Sequence, residues 1–152
     1  MDELRVEYEA VQYIVIKIGE EQYGIDIKYI ENIVRMQKIT RVPKVQPYFK
    51  GVINLRGEVV PVMSLRIKMN LPEDVTTNTT RIIILKLEQN APIGVIVDEV
   101  KEVVSLDETN TERLSYDARD DSISYINGIG KCNGGLISLL DLNVVIAERD
   151  SF

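Results

Sequence analysis

The chain contains two copies of one sequence pattern, and this repeat constrains the fold more than any other feature. Two apolar, β-branched runs surround a polar turn at 13–27 and again at 81–97, and they align at an offset of 69 before the turn and 70 after it. A second stretch, GVINLRGEVVPVMSLRI at 51–67, aligns with GIGKCNGGLISLLDLNV at 128–144 at an offset of 77. Because the offsets change only across loops, we interpret the chain as two copies of a unit of about 60–70 residues.

Each copy has the pattern of a series of short strands. Runs rich in Val and Ile, separated by turns that contain Gly, Asn or Glu, are typical of β-hairpins. Five short strands of this kind close most naturally into a small barrel. We therefore predict a mainly β fold of two five-stranded β-barrels with short helical segments. The tail DLNVVIAERD at 141–150 predicts a closing C-terminal helix with Asp141 as its N-cap.

The repeat also predicts the domain organisation. The segment PEDVTTNTT at 72–80 is rich in turn-forming residues and separates the two copies. We expect a single domain over 1–152, with a first barrel at about 11–71 and a second at about 80–147. Two long connections are expected to be surface loops: 37–50, which has two prolines, and 105–127, which is acidic and irregular.

The residues that the chain lacks exclude most enzyme classes. It has no histidine, so neither an imidazole acid or base nor a Ser-His or Cys-His nucleophile can form. Its single cysteine, Cys132, permits neither an internal disulfide nor a cysteine-cluster metal site. Most common enzyme designs are therefore excluded, and we expect no cofactor and no metal.

Charge and hydropathy restrict the partners. A formal net charge of −6 and a pI near 4.8 disfavour nucleic-acid binding, which depends on clustered Lys and Arg. No run of about 18 apolar residues is present and the N-terminus is acidic, so we expect a cytoplasmic protein without membrane insertion. An oligonucleotide-binding β-barrel module, or a β-barrel enzyme, remains the alternative class at this point. Salt-dependent binding to single-stranded nucleic acid would distinguish the first of these.

Arg56 is a candidate for partner contact because the repeat supplies an internal control. At the equivalent position of the second copy, offset by 77, stands Asn133, while the neighbouring glycines Gly57 and Gly134 match. The barrel can therefore be built without an arginine at this turn. Arginine is well suited to hydrogen-bonded contact with another protein.

Apolar residues recur at a spacing of three in both copies and allow two interpretations. Ile27 and Ile30 correspond to Val97 and Val100 at an offset of 70. Core packing is the ordinary explanation of such a pattern. Alternatively, if the two barrels pack about a pseudo-twofold axis, these segments line a shared groove that is partly exposed to a partner.

Four stretches carry a resemblance to a known family: EEQYGIDIKYIENI, FKGVINLRGEVVPVMSLR, IGVIVDEVKEVVSL and GLISLLDL. Together they resemble CheW-type chemotaxis coupling proteins over residues 11 to 147. The resemblance implies two intertwined SH3-like β-barrels without catalysis. It further implies an adaptor that links the cytoplasmic signalling tips of chemoreceptors to the regulatory domain of the histidine kinase CheA, in the cytoplasm at membrane-associated receptor arrays.

The resemblance also assigns candidate residues. The family's arginine after Asn-Leu is Arg56, and Asn32 stands where the family often has a glutamate. An Arg56–Asn32 hydrogen bond is one expectation, while Glu31 and Glu58 are alternative partners of the guanidinium. The candidates for the receptor site are Ile27, Ile30, Asn32, Arg56, Val97 and Val100. The candidates for the kinase site, in the loop RVPKV, are Val42, Pro43 and Val45.

Overall fold

Eleven strands and two short helices make up the described part of the chain. The computed structural model describes residues 9–114 and 125–147. The strands of the first half are β1 (Val11–Ile18), β2 (Glu21–Asp26), β3 (Ile30–Arg35), β4 (Phe49–Leu55) and β5 (Glu58–Ser64), followed by helix α1 (Leu65–Lys68). Those of the second half are β6 (Arg81–Leu85), β7 (Ile93–Val97), β8 (Glu99–Leu106), β9 (Thr111–Arg113), β10 (Ile126–Cys132) and β11 (Gly135–Leu140), followed by helix α2 (Leu142–Ile146). A single 3₁₀ turn, Ile27–Tyr29, connects β2 to β3.

The strands form two sheets that exchange hairpins between the halves of the chain. The five-stranded sheet, here the first barrel, has the order β3-β6-β7-β5-β4, and the six-stranded sheet, the second barrel, has the order β8-β1-β2-β11-β10-β9. The hairpin β1–β2 therefore belongs to the second barrel, and the hairpin β6–β7 belongs to the first. The boundaries of the repeat along the chain, 11–71 and 80–147, are thus not the boundaries of the two sheets. The mainly β fold predicted from the repeat is confirmed, and the pairing is intertwined.

Three clusters of apolar side chains form the core. One fills the first barrel around Ile53, Val62 and Ile82, and one fills the second around Val15 and Leu139. The third lies between the two sheets. It contains side chains from the faces of the exchanged strands that point away from the barrel interiors, and its members include Ile14, Ile16, Ile83, Leu85 and Val95. Because both faces of β1, β6 and β7 are buried, these strands are continuous apolar runs rather than alternating ones.

The two halves of the structure share even the local irregularities of strand pairing. The register of β4 against β5 shifts between Phe49 and Gly51, and that of β10 against β11 shifts between Ile126 and Gly128. These two bulges occupy equivalent positions at the offset of 77. At Gly51 the backbone φ is +139°, and a Cβ would lie 2.1 Å from the carbonyl oxygen of Thr40, so only glycine fits.

Both helices start at the cap positions of the repeat. Asp141 caps α2, because its side chain accepts a hydrogen bond from the backbone N–H of Val144, and Ser64 caps α1 in the same way through Ile67. The predicted C-terminal helix and its cap are therefore confirmed. The predicted connection 105–127 starts later and contains β9, and its residues 115–124 lie outside the described ranges. No helix within 9–114 and 125–147 is long and apolar enough to cross a membrane.

Candidate partner-binding surfaces

The turn between β4 and β5 holds Arg56 in a backbone conformation that arginine rarely adopts. Arg56 has a φ of +53° and Gly57 a φ of +83°, and the equivalent Asn133 and Gly134 have +52° and +77°. Two successive left-handed residues are typical of the type I′ hairpin turn, in which Asn-Gly is strongly preferred. The second barrel therefore has the favoured residue at this position, and the first barrel has an arginine.

The guanidinium of Arg56 is available to a partner. Arg56 is exposed and, within the described ranges, makes neither an ion pair nor a side-chain hydrogen bond. The expected bond to Asn32 does not form, and the side-chain oxygen of Asn32 instead accepts a hydrogen bond from the backbone N–H of Ile33 at 2.9 Å. Glu31 and Glu58, the alternative partners, are both exposed and do not pair with Arg56 either.

The second barrel shows that positions 32 and 56 are spatial neighbours in this fold. Its equivalents are Glu102, offset by 70, and Asn133, offset by 77, and the Asn133 side-chain amide donates to Oε1 of Glu102 at 3.3 Å. Barrel closure thus brings the edge strand β8 to the β10–β11 turn. By the repeat, Asn32 on β3 and Arg56 occupy the corresponding pair of positions in the first barrel.

The four apolar candidates for the receptor site differ in burial. Ile27, Ile30 and Val100 are half-buried and pack against the cluster between the sheets. Val97 is 0 % exposed and belongs to that cluster. The first three can present part of their surface to a partner, whereas Val97 is covered and belongs to the core against which they pack. Core packing therefore explains Val97, and a groove lined by the three half-buried residues stays a prediction.

The loop that contains the kinase candidates lies on the surface beside a cavity. Val42 is 41 % exposed, Val45 is 44 % exposed and Pro43 is also exposed. All three line a cavity of about 420 Å³ together with basic and aromatic side chains of the same loop. The structure therefore brings these three candidates together, and Arg56 does not line this cavity.

An ion pair that sequence reasoning did not find connects the two barrels. Asp98 accepts two hydrogen bonds from Arg66, at 3.0 Å from Nε and 2.6 Å from an η nitrogen, and a third from the backbone N–H of Gly19 at 2.7 Å. Burial acts to raise the pKa of Asp98, but these hydrogen bonds outweigh it and hold the pKa below its usual value. The partners are 32 and 79 residues away in sequence, so no local pattern indicates them.

A polar cavity beside the 3₁₀ turn was also not indicated by the sequence. It has a volume of about 270 Å³, and Asp26, Lys28, Tyr29 and Arg113 contribute to its lining. The ammonium of Lys28 lies 4.9 Å from the centre of the Tyr29 ring and 3.9 Å from Asp26. The contacts with Tyr29 and with the Asp26 carboxylate raise the pKa of Lys28 above its ordinary value.

Comparisons with known proteins decide the family. A model described as the CheW-like domain matches residues 12–150. The chain belongs to the CheW-like family. The chemotaxis protein CheW of Bacillus subtilis is 38% identical over 138 residues, which cover 91% of this chain and 88% of that protein. CheW of Helicobacter pylori is 32% identical over 92% of this chain and 84% of its own length.

A solved structure supports the same assignment. The scaffolding protein TtCheW from Thermoanaerobacter tengcongensis superposes with a TM-score of 0.83 at 27% identity, over 93% of this chain and 95% of that one. CheW-like proteins are non-catalytic scaffold proteins of chemotaxis. Among the residues that the structure describes, no group of three or more metal-ligating side chains comes together.

Proposed function

We propose that this chain is an adaptor that binds the cytoplasmic tips of chemoreceptors and the regulatory domain of the histidine kinase CheA at the same time. The observation that carries the proposal is the separation of two exposed candidate surfaces. The loop with Val42, Pro43 and Val45 precedes β4, and Arg56 follows it. A strand of seven residues spans about 20 Å, so two partners can bind at its opposite ends without colliding.

The receptor surface of this proposal combines one cation with an apolar groove. Arg56 supplies an unpaired guanidinium beside Asn32, and the half-buried Ile27, Ile30 and Val100 supply apolar contact. A guanidinium forms directional hydrogen bonds to carboxylate and carbonyl groups, and the burial of apolar side chains away from water contributes favourable free energy to binding. These are the groups that the surface of a helical receptor tip presents. Val97 is buried and contributes to the core against which these three residues pack.

The kinase surface is the loop of Val42, Pro43 and Val45. Exposed valines on either side of a proline offer apolar area on a segment of restricted backbone freedom, which reduces the entropy lost on binding. Each of the two interfaces can be modest, about 1,000–1,600 Å² in total buried area. In a membrane-associated array, to which a cytoplasmic adaptor is recruited, tethering raises the effective concentration of both partners.

Binary pull-downs test the proposal. The purified chain should retain a receptor signalling-tip fragment and the kinase regulatory domain, each in a separate experiment. Val42→Glu places a charge in the kinase loop, so we expect it to weaken kinase binding by about tenfold or more and receptor binding by less than about twofold.

Leu136→Glu is the control for this experiment. Leu136 is 62 % exposed, and it lies in the hairpin β10–β11, which contains none of the candidate residues. The control should bind both partners like the wild type. Failure of the wild-type chain to retain either partner would overturn the adaptor proposal, and equal losses in both pull-downs for Val42→Glu would overturn the separate faces.

A further inference from the structure

The segment that contains the kinase loop has a charge opposite to that of the rest of the chain. Residues 35–50 hold five of the 18 Lys and Arg residues and none of the 24 Asp and Glu residues. The net charge of the whole chain is −6, so the remainder is strongly acidic. Within the described ranges only Lys50 among these five cations has an ion pair, with Glu73 at 3.2 Å. The positive charge of this segment is therefore mostly uncompensated.

Three of these cations converge on one cavity. Arg41, Lys44 and Lys50 line the cavity of about 420 Å³ together with Val42, Val45 and Phe49. A second cavity of about 400 Å³ shares Arg41, Pro47, Phe49 and Lys50 and adds Ile39 and Glu73, the acid that pairs with Lys50. The surface thus alternates cationic and apolar side chains over the length of the loop, and this combination is suited to a ligand that carries both negative charge and apolar groups.

Backbone contacts hold the loop in place. Thr40 and Val52 exchange two hydrogen bonds of 2.8 Å, with Gly51 permitting their close approach. At the other end the N–H of Phe49 donates to the carbonyl of Gln46 at 2.9 Å, and the N–H of Ser64 donates to the carbonyl of Tyr48 at 2.7 Å. A loop fixed at both ends loses less entropy when a partner binds.

The turn inside the loop shows a further sign of a binding role. Lys44 follows Pro43 and has a φ of +61°, a conformation in which glycine or asparagine is normally found. A lysine at this position costs free energy in the isolated chain, and such strain is concentrated at binding sites. The backbone conformation therefore presents the Lys44 ammonium at the tip of the loop at a cost to stability.

We propose that this loop docks an acidic peptide segment that carries an apolar side chain, the cations Arg41 and Lys44 pairing with its carboxylates and the cavity taking its apolar group. The inference rests on the proposed function, since it specifies the chemistry of the partner at the kinase loop. A peptide fits better than a nucleic acid because valines and prolines separate the cations of the lining, and Phe49, the aromatic residue in that lining, is half-buried. The acidic remainder of the chain also repels a polyanion that extends beyond the loop.

Fluorescence anisotropy with synthetic probes tests the inference. The probes are a fluorescein-labelled peptide in which Glu and Asp flank Leu residues, the same peptide with Gln and Asn in place of the acids, and a single-stranded oligothymidylate of equal charge. We expect the acidic peptide to bind at least about tenfold more tightly than its neutral counterpart, with an affinity that falls as NaCl rises from about 50 to 300 mM.

Charge-reversal variants locate the binding. Arg41→Glu and Lys44→Glu should each weaken acidic-peptide binding by about fivefold or more, while Lys131→Glu, the same change on an exposed lysine of the second barrel, should change it by less than about twofold. Equal binding of the acidic and neutral peptides, tighter binding of oligothymidylate, or no binding of the acidic peptide would overturn the inference.

The test separates this inference from the proposed function. If the acidic peptide does not bind but Val42→Glu still abolishes retention of the kinase regulatory domain, the kinase loop stands and the acidic chemistry is wrong. If the acidic peptide binds at Arg41 and Lys44 but Val42→Glu leaves kinase retention intact, the loop docks another acidic partner and the kinase assignment fails.

Discussion

At the scale of a single residue, Arg56 combines exposure, a free guanidinium and an unfavourable backbone conformation. Left-handed φ values cost residues other than Gly, Asn and Asp about 1–2 kcal/mol. The second barrel avoids this cost with Asn133 in the same turn. An arginine that occupies this position in spite of the cost, and that makes neither an ion pair nor a side-chain hydrogen bond within the described ranges, is better explained by a partner than by the stability of the barrel.

Replacing Arg56 with the residue of the second barrel should separate stability from function. We expect Arg56→Asn to raise the free energy of unfolding by up to about 1 kcal/mol and the melting temperature by about 1–4 °C, because Asn accepts the left-handed φ. The same variant should bind the receptor signalling tip about tenfold more weakly, because the guanidinium is lost. Thermal unfolding and a binding titration measure the two effects.

Arg56→Lys is the control for that variant. It keeps the positive charge and the strained φ but removes the planar fork, so the melting temperature should stay at the wild-type value and binding should fall by an intermediate amount. Wild-type receptor affinity in Arg56→Asn would exclude Arg56 from the site.

The sequence was enough to identify Arg56 as a candidate, but it did not show that Arg56 has an unfavourable backbone conformation. The comparison with Asn133 needs only the repeat, whereas the left-handed φ is visible only in the backbone. The burial of Val97 was likewise beyond the sequence, because a spacing of three gives the same pattern for Ile27, Ile30 and Val100, which lie at the surface of the cluster, and for Val97, which lies within it. Which member is covered depends on the packing of the other sheet.

At the scale of secondary-structure elements, Asp98 joins three elements at the point where the chain passes from one barrel to the other. It lies between β7 of the first barrel and β8 of the second. Arg66 belongs to α1, which follows β5 of the first barrel, and Gly19 lies in the β1–β2 turn of the second. The side chains of Arg66 and Asp98 are only 19 % and 27 % exposed, so water weakens their attraction less than that of a surface pair. This contact therefore fixes how the two barrels sit against each other.

Asp98→Asn should destabilise the protein at neutral pH by about 1–2 kcal/mol, because it removes a charge-assisted pair of hydrogen bonds. The pKa of Asp98 is depressed in the folded state, so its contribution is complete above the ordinary value of 3.8 and is lost as the pH falls through the folded pKa. The difference in unfolding free energy between wild type and variant should therefore be present at pH 7 and shrink when the pH falls below 3.8. Urea unfolding at pH 7 and at an acidic pH below 3.8 measures this difference.

Glu99→Gln is the neighbouring control, since it removes one negative charge from a residue without an ion pair among the described side chains. It should leave the unfolding midpoint at pH 7 nearly unchanged. A constant difference between wild type and Asp98→Asn from neutral to acidic pH would contradict the role of the ionised carboxylate.

Local elements were largely predictable, and their partners were not. Short-range patterns predict the hairpins around the polar segments GEEQ (19–22) and EQNAP (88–92), the glycine turns at 57 and 134 and the helix capped by Asp141, and the structure confirms these elements, with the first turn reduced to residues 19–20. The ion pair of Arg66 with Asp98 depends on how distant segments meet. The residues that flank Arg66 and Asp98 in the sequence do not indicate this ion pair.

At the scale of the whole molecule, the exchange of hairpins makes the two barrels one cooperative unit. The hairpin β1–β2 extends the second barrel and the hairpin β6–β7 extends the first, so neither half of the chain contains a complete sheet. The repeat predicted two similar barrels, but a sequence repeat does not show which copy supplies each hairpin. That choice follows from pairing between strands that are distant in the chain, as between Val62 and Gly94 in the first barrel and between Tyr13 and Val104 in the second.

The central claim is that one chain holds both partners at once, and a bridging experiment tests it most directly. A receptor signalling-tip fragment is immobilised, and the kinase regulatory domain is added with the wild-type chain, with Arg56→Asn, with Val42→Glu or with none of them. The account predicts that the kinase domain is retained only with the wild-type chain, that Arg56→Asn is itself lost from the beads, and that Val42→Glu remains bound but retains no kinase. Retention of the kinase domain without the chain, or mutually exclusive binding of the two partners to it, would contradict the account.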